Sequence, residues 1–173
     1  MRRRAAVAAA GRGCGVRRED FAVLAVCTGN LCRSPFAAGY LAKRFQDEGV
    51  WAEAFSRGLM ALPGRRPPRE AVRAAAAYGV DLSTHVAQPL LGPDLLRADI
   101  VWVMEKGQRD RLVRARPQAR DKVALLSEPL DGQDIEDPMG KPLAVFERVY
   151  ARIAECVDAW MPELVAMARE WAG

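Results

Sequence analysis

The stretch FAVLAVCTGNLCRSP, residues 21–35, decides how the rest of the chain is read. Phe21 to Val26 is short, apolar, free of Gly and Pro, and carries Val and Leu at alternate places, the pattern of a strand buried on both faces of a parallel sheet. A glycine-bearing loop follows Cys27. Ser34 then Pro35 reads as a helix N-cap and first helical position, with FAAGYLAKRF continuing the helix. A loop between a strand's end and a helix N-terminus gathers backbone N–H groups around one spot, and the helix dipole adds positive potential there. The stretch predicts a site for a tetrahedral oxyanion.

The residues in that loop point to its chemistry. Cys27 begins it and Arg33 ends it, a C-x5-R-S pattern. A nucleotide P-loop would need G-x4-G-K-[ST], with Lys on the phosphates, and that pattern is absent. Surrounded by N–H donors and a guanidinium, Cys27 is expected to attack as the thiolate. The planar fork of Arg33 suits two phosphoryl oxygens and the charge that develops on them.

The remaining sequence bounds the class. At 173 residues, half of them hydrophobic, the chain suits one domain with a full core. The net charge of +4 is uneven, because residues 1–18 hold six of the 26 basic residues and no acid. What remains is 20 basic residues against 22 acidic ones, so the basic balance belongs to the tail. Residues 1–19 read as a disordered Arg-rich tail and 20–173 as the folded domain. The run AAVAAA is too short and weakly apolar for a secretory signal, and no segment approaches membrane-spanning length. Cys14, Cys27, Cys32 and Cys156 are too scattered for a disulfide framework and suit a reducing cytoplasm. With a single His, the chain lacks the ligands for a zinc site, so no metal is expected.

Further elements follow in order. VWAEAFSR (50–57) reads as a second strand, Gly58 to Pro68 as a Gly/Pro-rich loop, and Pro68 to Tyr78 as a helix stopped by Gly79. Ala98 to Met104 reads as a third strand, Lys106 to Ala115 as a helix, and Lys122 to Leu126 as a fourth strand. LSEPLDGQDIEDPMGKP is a long acidic loop, and such loops in compact domains tend to be functional. Leu143 to Trp171 has helical periodicity, with a bend or break expected at Pro162. Strands alternating with helices predict an α/β fold: a three-layer, doubly wound open sheet of four parallel strands with helices on both faces. The site should lie outside the strands' C-terminal ends.

A phosphoryl-cysteine mechanism needs an acid for the leaving oxygen and then a base for water. Asp131, Asp134, Glu136 and Asp137 all qualify by composition, which cannot choose among them, although Pro138 fixes the backbone beside Asp137. Cys32 has two readings, a thiol that traps oxidised Cys27 as a reversible disulfide or a small apolar residue packed under the loop.

CTGNLCRSP, followed in order by EAFSRG, GVDLSTHVAQPL, ADIVWVM and IEDPMGKPLAVFERVY, resembles the low-molecular-weight protein tyrosine phosphatases, whose fold is shared with thiol-dependent arsenate reductases. The resemblance implies a phosphatase with Cys27 as nucleophile, Arg33 with the loop Thr28, Gly29, Asn30, Leu31, Cys32 and Ser34 as phosphate cradle, and Asp137 as acid then base. It implies that Asn30, Ser34, Ser56 and His85 hold the loop, and it places substrate walls at Met60, Leu62 and Met139. Leu31 stands where a bulky aliphatic accompanies phosphotyrosine activity and Thr accompanies phosphoarginine activity. Where these phosphatases often carry an aromatic after Asp-Pro, this chain has Met139. Expected partners are a phosphorylated protein or a small phosphate ester, with neither membrane nor nucleic acid, and the chain is expected to act as a monomer or weak dimer without a cofactor. Three alternatives stay open: an arsenate reductase, a protein-arginine phosphatase, and a non-catalytic phosphoprotein-binding module. With no Cys between Val86 and Gly140, the arsenate reading is left only its small-thiol route.

Overall fold

A computed structural model describes residues 20–172; the tail expected over residues 1–19 lies outside them. The described elements run β1 (Phe21–Cys27), α1 (Arg33–Asp47), β2 (Ala52–Gly58), α2 (Arg69–Ala76), α3 (Gly92–Arg97), β3 (Ile100–Val103), α4 (Lys106–Ala115), a 3₁₀ turn (Pro117–Lys122), β4 (Val123–Leu125) and α5 (Leu143–Ala172). The four strands pair in parallel in the order β2-β1-β3-β4. The expected doubly wound sheet is the observed one.

All seven residues of β1 are buried, and their alternation divides the core in two. Phe21, Val23, Ala25 and Cys27 join Ile100, Trp102 and residues of α1, α2 and α5 on one face. Leu24 and Val26 join Val101, Val103, Leu95 and Leu112 on the other, under α3 and α4. The chain turns from β1 to β2 on one side and later returns to pair β3 on the other, so the crevice opens between the C-terminal ends of β1 and β3.

Two local expectations are corrected and one element is added. Ser34 is not an N-cap: α1 begins at Arg33, Cys32 takes the cap position without a side-chain hydrogen bond, and the Ser34 hydroxyl is drawn into the loop instead. The short helix α3, GPDLLR, was hidden by its Gly-Pro start, and the Asp94 carboxylate stabilises it by accepting from the Leu91 N–H at 2.9 Å. Pro162 does not break α5, which runs on as a single helix. Proline inside a helix costs about 3 kcal/mol. Burial of Trp160, Met161, Leu164 and Ala168 around it offsets that, since each large apolar side chain contributes about 1.5–3 kcal/mol.

A close approach to backbone lies at the end of β2. Gly58 pairs with Cys27 across the sheet, and a Cβ there would lie 2.8 Å from Thr28 O, 2.8 Å from Ala61 Cβ and 3.0 Å from Asn30 Cβ. Gly58→Ala should therefore destabilise by about 1–3 kcal/mol, read as a lower urea midpoint at unchanged slope. Gly107→Ala, in a helix with open space around it, should be neutral or stabilising by up to about 1 kcal/mol. Equal midpoints for the two variants would contradict this account of Gly58.

Candidate active site

The loop after β1 turns its carbonyls outward. Leu59 N–H donates to Cys27 O at 2.9 Å, Met60 N–H to Thr28 O at 2.9 Å, and the Tyr150 hydroxyl to Cys32 O at 2.9 Å. His85 lies with Nε2 2.8 Å from Asn30 O, and because a carbonyl only accepts, Nε2 carries the proton. Among the described residues, none of the N–H groups of Thr28 to Cys32 donates to a protein acceptor. With the carbonyls tied off outside, these amides are left for an anion.

Asn30 makes that geometry possible. Its φ of 55° is the one left-handed backbone among the described non-glycine residues, a conformation Asn tolerates better than most side chains. Its fully buried amide is satisfied: Nδ2 donates to Ser34 Oγ at 3.0 Å and to Ser56 Oγ at 2.9 Å, while Oδ1 accepts from Gln88 N–H at 2.9 Å. Ser34 Oγ then has one proton for two acceptors, Arg57 O at 3.3 Å and Cys27 Sγ at 3.0 Å. When sulfur carries its own proton the hydroxyl can serve Arg57 O; when sulfur is anionic, it can turn to sulfur.

Arg33 is 2% exposed, and a buried guanidinium needs partners. Nη1 donates to Glu105 Oε1 and, at 2.8 Å, to Ile135 O; Nη2 lies 3.1 Å from Asp137 Oδ2. Glu105 escaped the sequence reading. It lies two residues past the end of β3, and the rule that parallel-sheet sites form where the strand order reverses could have singled it out. Gln108 was missed too: buried, it accepts from Met104 N–H at 2.9 Å and donates to Thr28 Oγ1 at 3.1 Å, joining α4 to the loop.

The structure sorts the four acidic candidates. Asp131 accepts from Gln133 N–H at 3.0 Å and pairs with Arg152. Asp134 accepts from Lys106 N–H at 2.8 Å, capping α4 where the dipole favours an anion. Glu136 is gripped by Lys141 and Arg148, whose hydrogen bonds hold its carboxyl down at about 2. Asp137 alone reaches Arg33, and it accepts from Met139 N–H at 3.1 Å in a turn fixed by the intervening Pro138.

Of the expected wall residues, Met60 is tied to the loop through its N–H, and Leu62 lies exposed two residues on. Met139 is exposed beside Asp137, whereas Leu31 is 6% exposed and packs in the core, against the space over Gly29. Cys32 is buried beneath the loop, and that burial, with Cys27 close by, pushes its thiol up to about 12.

A family model described as "Low molecular weight phosphotyrosine protein phosphatase" matches residues 22–170. The "Probable low molecular weight protein-tyrosine-phosphatase EpsP" of Ralstonia nicotianae is 37% identical over 145 residues, 84% of this chain and 97% of that protein. The low molecular weight protein tyrosine phosphatase of T. tengcongensis superposes with a TM-score of 0.79 at 35% identity, covering 83% of this chain and 99% of that one. The YwlE arginine phosphatase of Geobacillus stearothermophilus superposes with a TM-score of 0.76 at 28% identity, covering 87% and 96%.

His85 gives the loop a pH dependence. Burial, more than any neighbour, lowers the affinity of its imidazole for a proton below the ordinary 6.5. The unfolded chain therefore binds the extra proton first as pH falls, so stability is complete above about pH 6.5 and declines below it. His85 is the only histidine. Urea midpoints should fall between about pH 7.5 and pH 5.5 in the wild type and stay flatter in His85→Gln. Parallel curves would assign the loss to other groups.

Proposed function

The chain belongs to the low molecular weight phosphotyrosine protein phosphatase family, and from that premise we propose that it hydrolyses protein phosphotyrosine through a phosphoryl-cysteine, with Cys27 as nucleophile. The observation that carries the reading is the loop itself: outward-tied carbonyls, unpartnered amides and the buried Arg33 converge beside Cys27. The amides and Arg33 take the phosphoryl oxygens. Cys27 Sγ attacks phosphorus as the bond to the tyrosine oxygen breaks, and Asp137 gives that oxygen its proton. Asp137, now a carboxylate, takes a proton from the water that attacks phosphorus. The S–P bond breaks, and the Ser34 hydroxyl stabilises the departing sulfur.

An arriving phosphoryl group competes with Asp137 for Nη2 of Arg33, which frees the carboxyl to turn toward the leaving oxygen. Glu105 and Ile135 O keep the guanidinium aimed during that exchange. This chemistry calls on no metal or organic cofactor, because Arg33 and the amides carry the charge. Asn30, Ser34, Ser56 and His85 hold the cradle, while Met60, Leu62 and Met139 wall the cleft. Cys32, with its thiol held protonated by burial, serves the core first and traps an oxidised Cys27 only after losing that proton. We place the protein in the cytoplasm, acting as a monomer or weak dimer; its described cysteines are free, which suits a reducing compartment.

The likeness to a protein named an arginine phosphatase favours a second reading, phosphoarginine hydrolysis. Leu31 and the 37% identity to a protein named a tyrosine phosphatase favour the first. A panel of phosphotyrosine, phosphoarginine and phosphoserine peptides should show phosphotyrosine turned over best, with Leu31→Thr moving the preference toward phosphoarginine. A wild-type preference for phosphoarginine would reverse the assignment.

Cys27→Ser should abolish phosphate release from p-nitrophenyl phosphate while the thermal transition stays cooperative; near-wild-type turnover would refute the covalent route. Asp137→Asn should slow alkyl phosphates far more than activated aryl phosphates, by about 10²–10⁴-fold on the former, because only the poor leaving group needs the proton. Equal losses on both substrates would move the acid role elsewhere.

A further inference from the structure

Beside the cleft, on the α3–α4 side of the sheet, lies a groove of about 210 Å³ lined by Leu59, Leu90, Leu91, Leu95 and Leu112, with Arg111 and Arg116 at its rim. It is smaller than the roughly 300–1,000 Å³ of small-molecule sites, and it fits a branched aliphatic side chain better than a cofactor. Its position relative to the loop is fixed by two links. Leu59, in the groove, donates its N–H to Cys27 O. Gln108 bonds Thr28, and Leu112, one turn later on the same face of α4, lines the groove. That turn spans about 6 Å, which an extended peptide crosses in about two residues.

The charge around the groove is one-sided. From its start to its C-cap, α4 carries Lys106, Arg109, Arg111, Arg114 and Arg116 against one acid, Asp110. Asp110 lies 3.8 Å from Arg109. Among the described residues, no carboxylate pairs with Arg111, Arg114 or Arg116, and all three are exposed. Arg111 instead donates to Met60 Sδ at 3.0 Å, which carries the basic rim to the cleft wall. Leu91 is 59% exposed at the open side. The chain's own residues 1–18 are poor occupants, since six arginines without an acid would be repelled.

We propose that this groove docks an acidic segment of the phosphoprotein substrate, a leucine-like side chain near the phosphotyrosine entering between Leu59, Leu91 and Leu112 while flanking carboxylates meet Arg111, Arg114 and Arg116. The proposal rests on the phosphotyrosine reading above, and it assigns peptide selectivity to residues outside the phosphate cradle. An apolar anchor ringed by opposite charge gives affinity through the anchor and encounter rate through the charge.

The test uses two phosphotyrosine peptides, one with acidic flanks and a leucine a few positions from the phosphotyrosine, the other with those positions neutral and polar, beside p-nitrophenyl phosphate. Wild type should favour the acidic peptide about tenfold in kcat/KM, through KM, and the advantage should shrink with added salt. Leu91→Ser and Arg116→Gln should each remove much of it and leave p-nitrophenyl phosphate unchanged. Ser suits the N-cap position that Leu91 holds, so that variant retains the fold. Equal turnover of the two peptides with p-nitrophenyl phosphate still hydrolysed would overturn the groove and leave the phosphatase standing. Failure on every phosphotyrosine substrate would instead overturn the catalytic reading and, with it, the substrate docking. Fluorescence polarisation with the unphosphorylated acidic peptide reports on the groove separately: tighter binding to wild type than to Leu91→Ser supports it, equal binding overturns it. Displacement of that peptide by a single-stranded oligonucleotide at lower concentration would reassign the surface to nucleic acid, and a dimer lost in Leu91→Ser would reassign it to a second copy.

Discussion

The site depends on a guanidinium held out of water. A charge as buried as that of Arg33 is tolerable only when its hydrogen bonds are met, and the chain meets them from three directions: Glu105 after β3, Ile135 O in the acidic loop, and Asp137 two residues on. Glu105 follows β3 while Ile135 and Asp137 share the acidic loop, so pairing the charge also draws the β3 end and that loop over the cradle. The same requirement that stabilises the buried cation brings Asp137, the proton donor proposed above, to the edge of the cradle. Structure and chemistry share one interaction.

The cradle itself is held by side chains that never face the anion. Asn30 uses its whole amide on Ser34, Ser56 and the Gln88 N–H, and His85 takes its carbonyl. From the opposite face, Tyr150 stacks on Phe36 with centroids 4.0 Å apart and donates to Cys32 O. Burial pushes the Tyr150 hydroxyl up and keeps it a donor. A stacked pair of this kind adds about 0.5–1.5 kcal/mol beyond its buried area. Helix α5 thus reaches the loop through one residue, and the core under it carries the loop's geometry.

The acidic loop shows how tertiary partners divide labour among like residues. Asp131 and Glu136 pair with α5 arginines, Arg152 and Arg148, and Asp134 caps α4, which leaves Asp137 at Arg33. Three carboxylates position the fourth. The exposed ion pairs among them contribute little individually, but together they fix where the loop crosses the crevice.

Much of this protein is legible in residues 21–35, because strand, loop and helix start are local features and an anion cradle is built from neighbouring amides. The alternation of β1, the left-handed aptitude of Asn30, and the Cys27-to-Arg33 spacing all act over a few residues. Local rules misled where tertiary contacts outbid them: Ser34 left the cap position for the loop's hydrogen bonds, and Pro162 stayed helical because the residues around it are buried. The sequence by itself determined the sheet, its parallel sense and the cradle. Only the tertiary structure decided that Glu105 and Gln108 join the site and that Asp137, the acid the Asp-Pro resemblance singles out, meets Arg33. Those partners lie 72, 80 and 104 positions from the loop residues they touch, and no periodicity or motif encodes a contact that exists only once the sheet has brought the ends of β1 and β3 together.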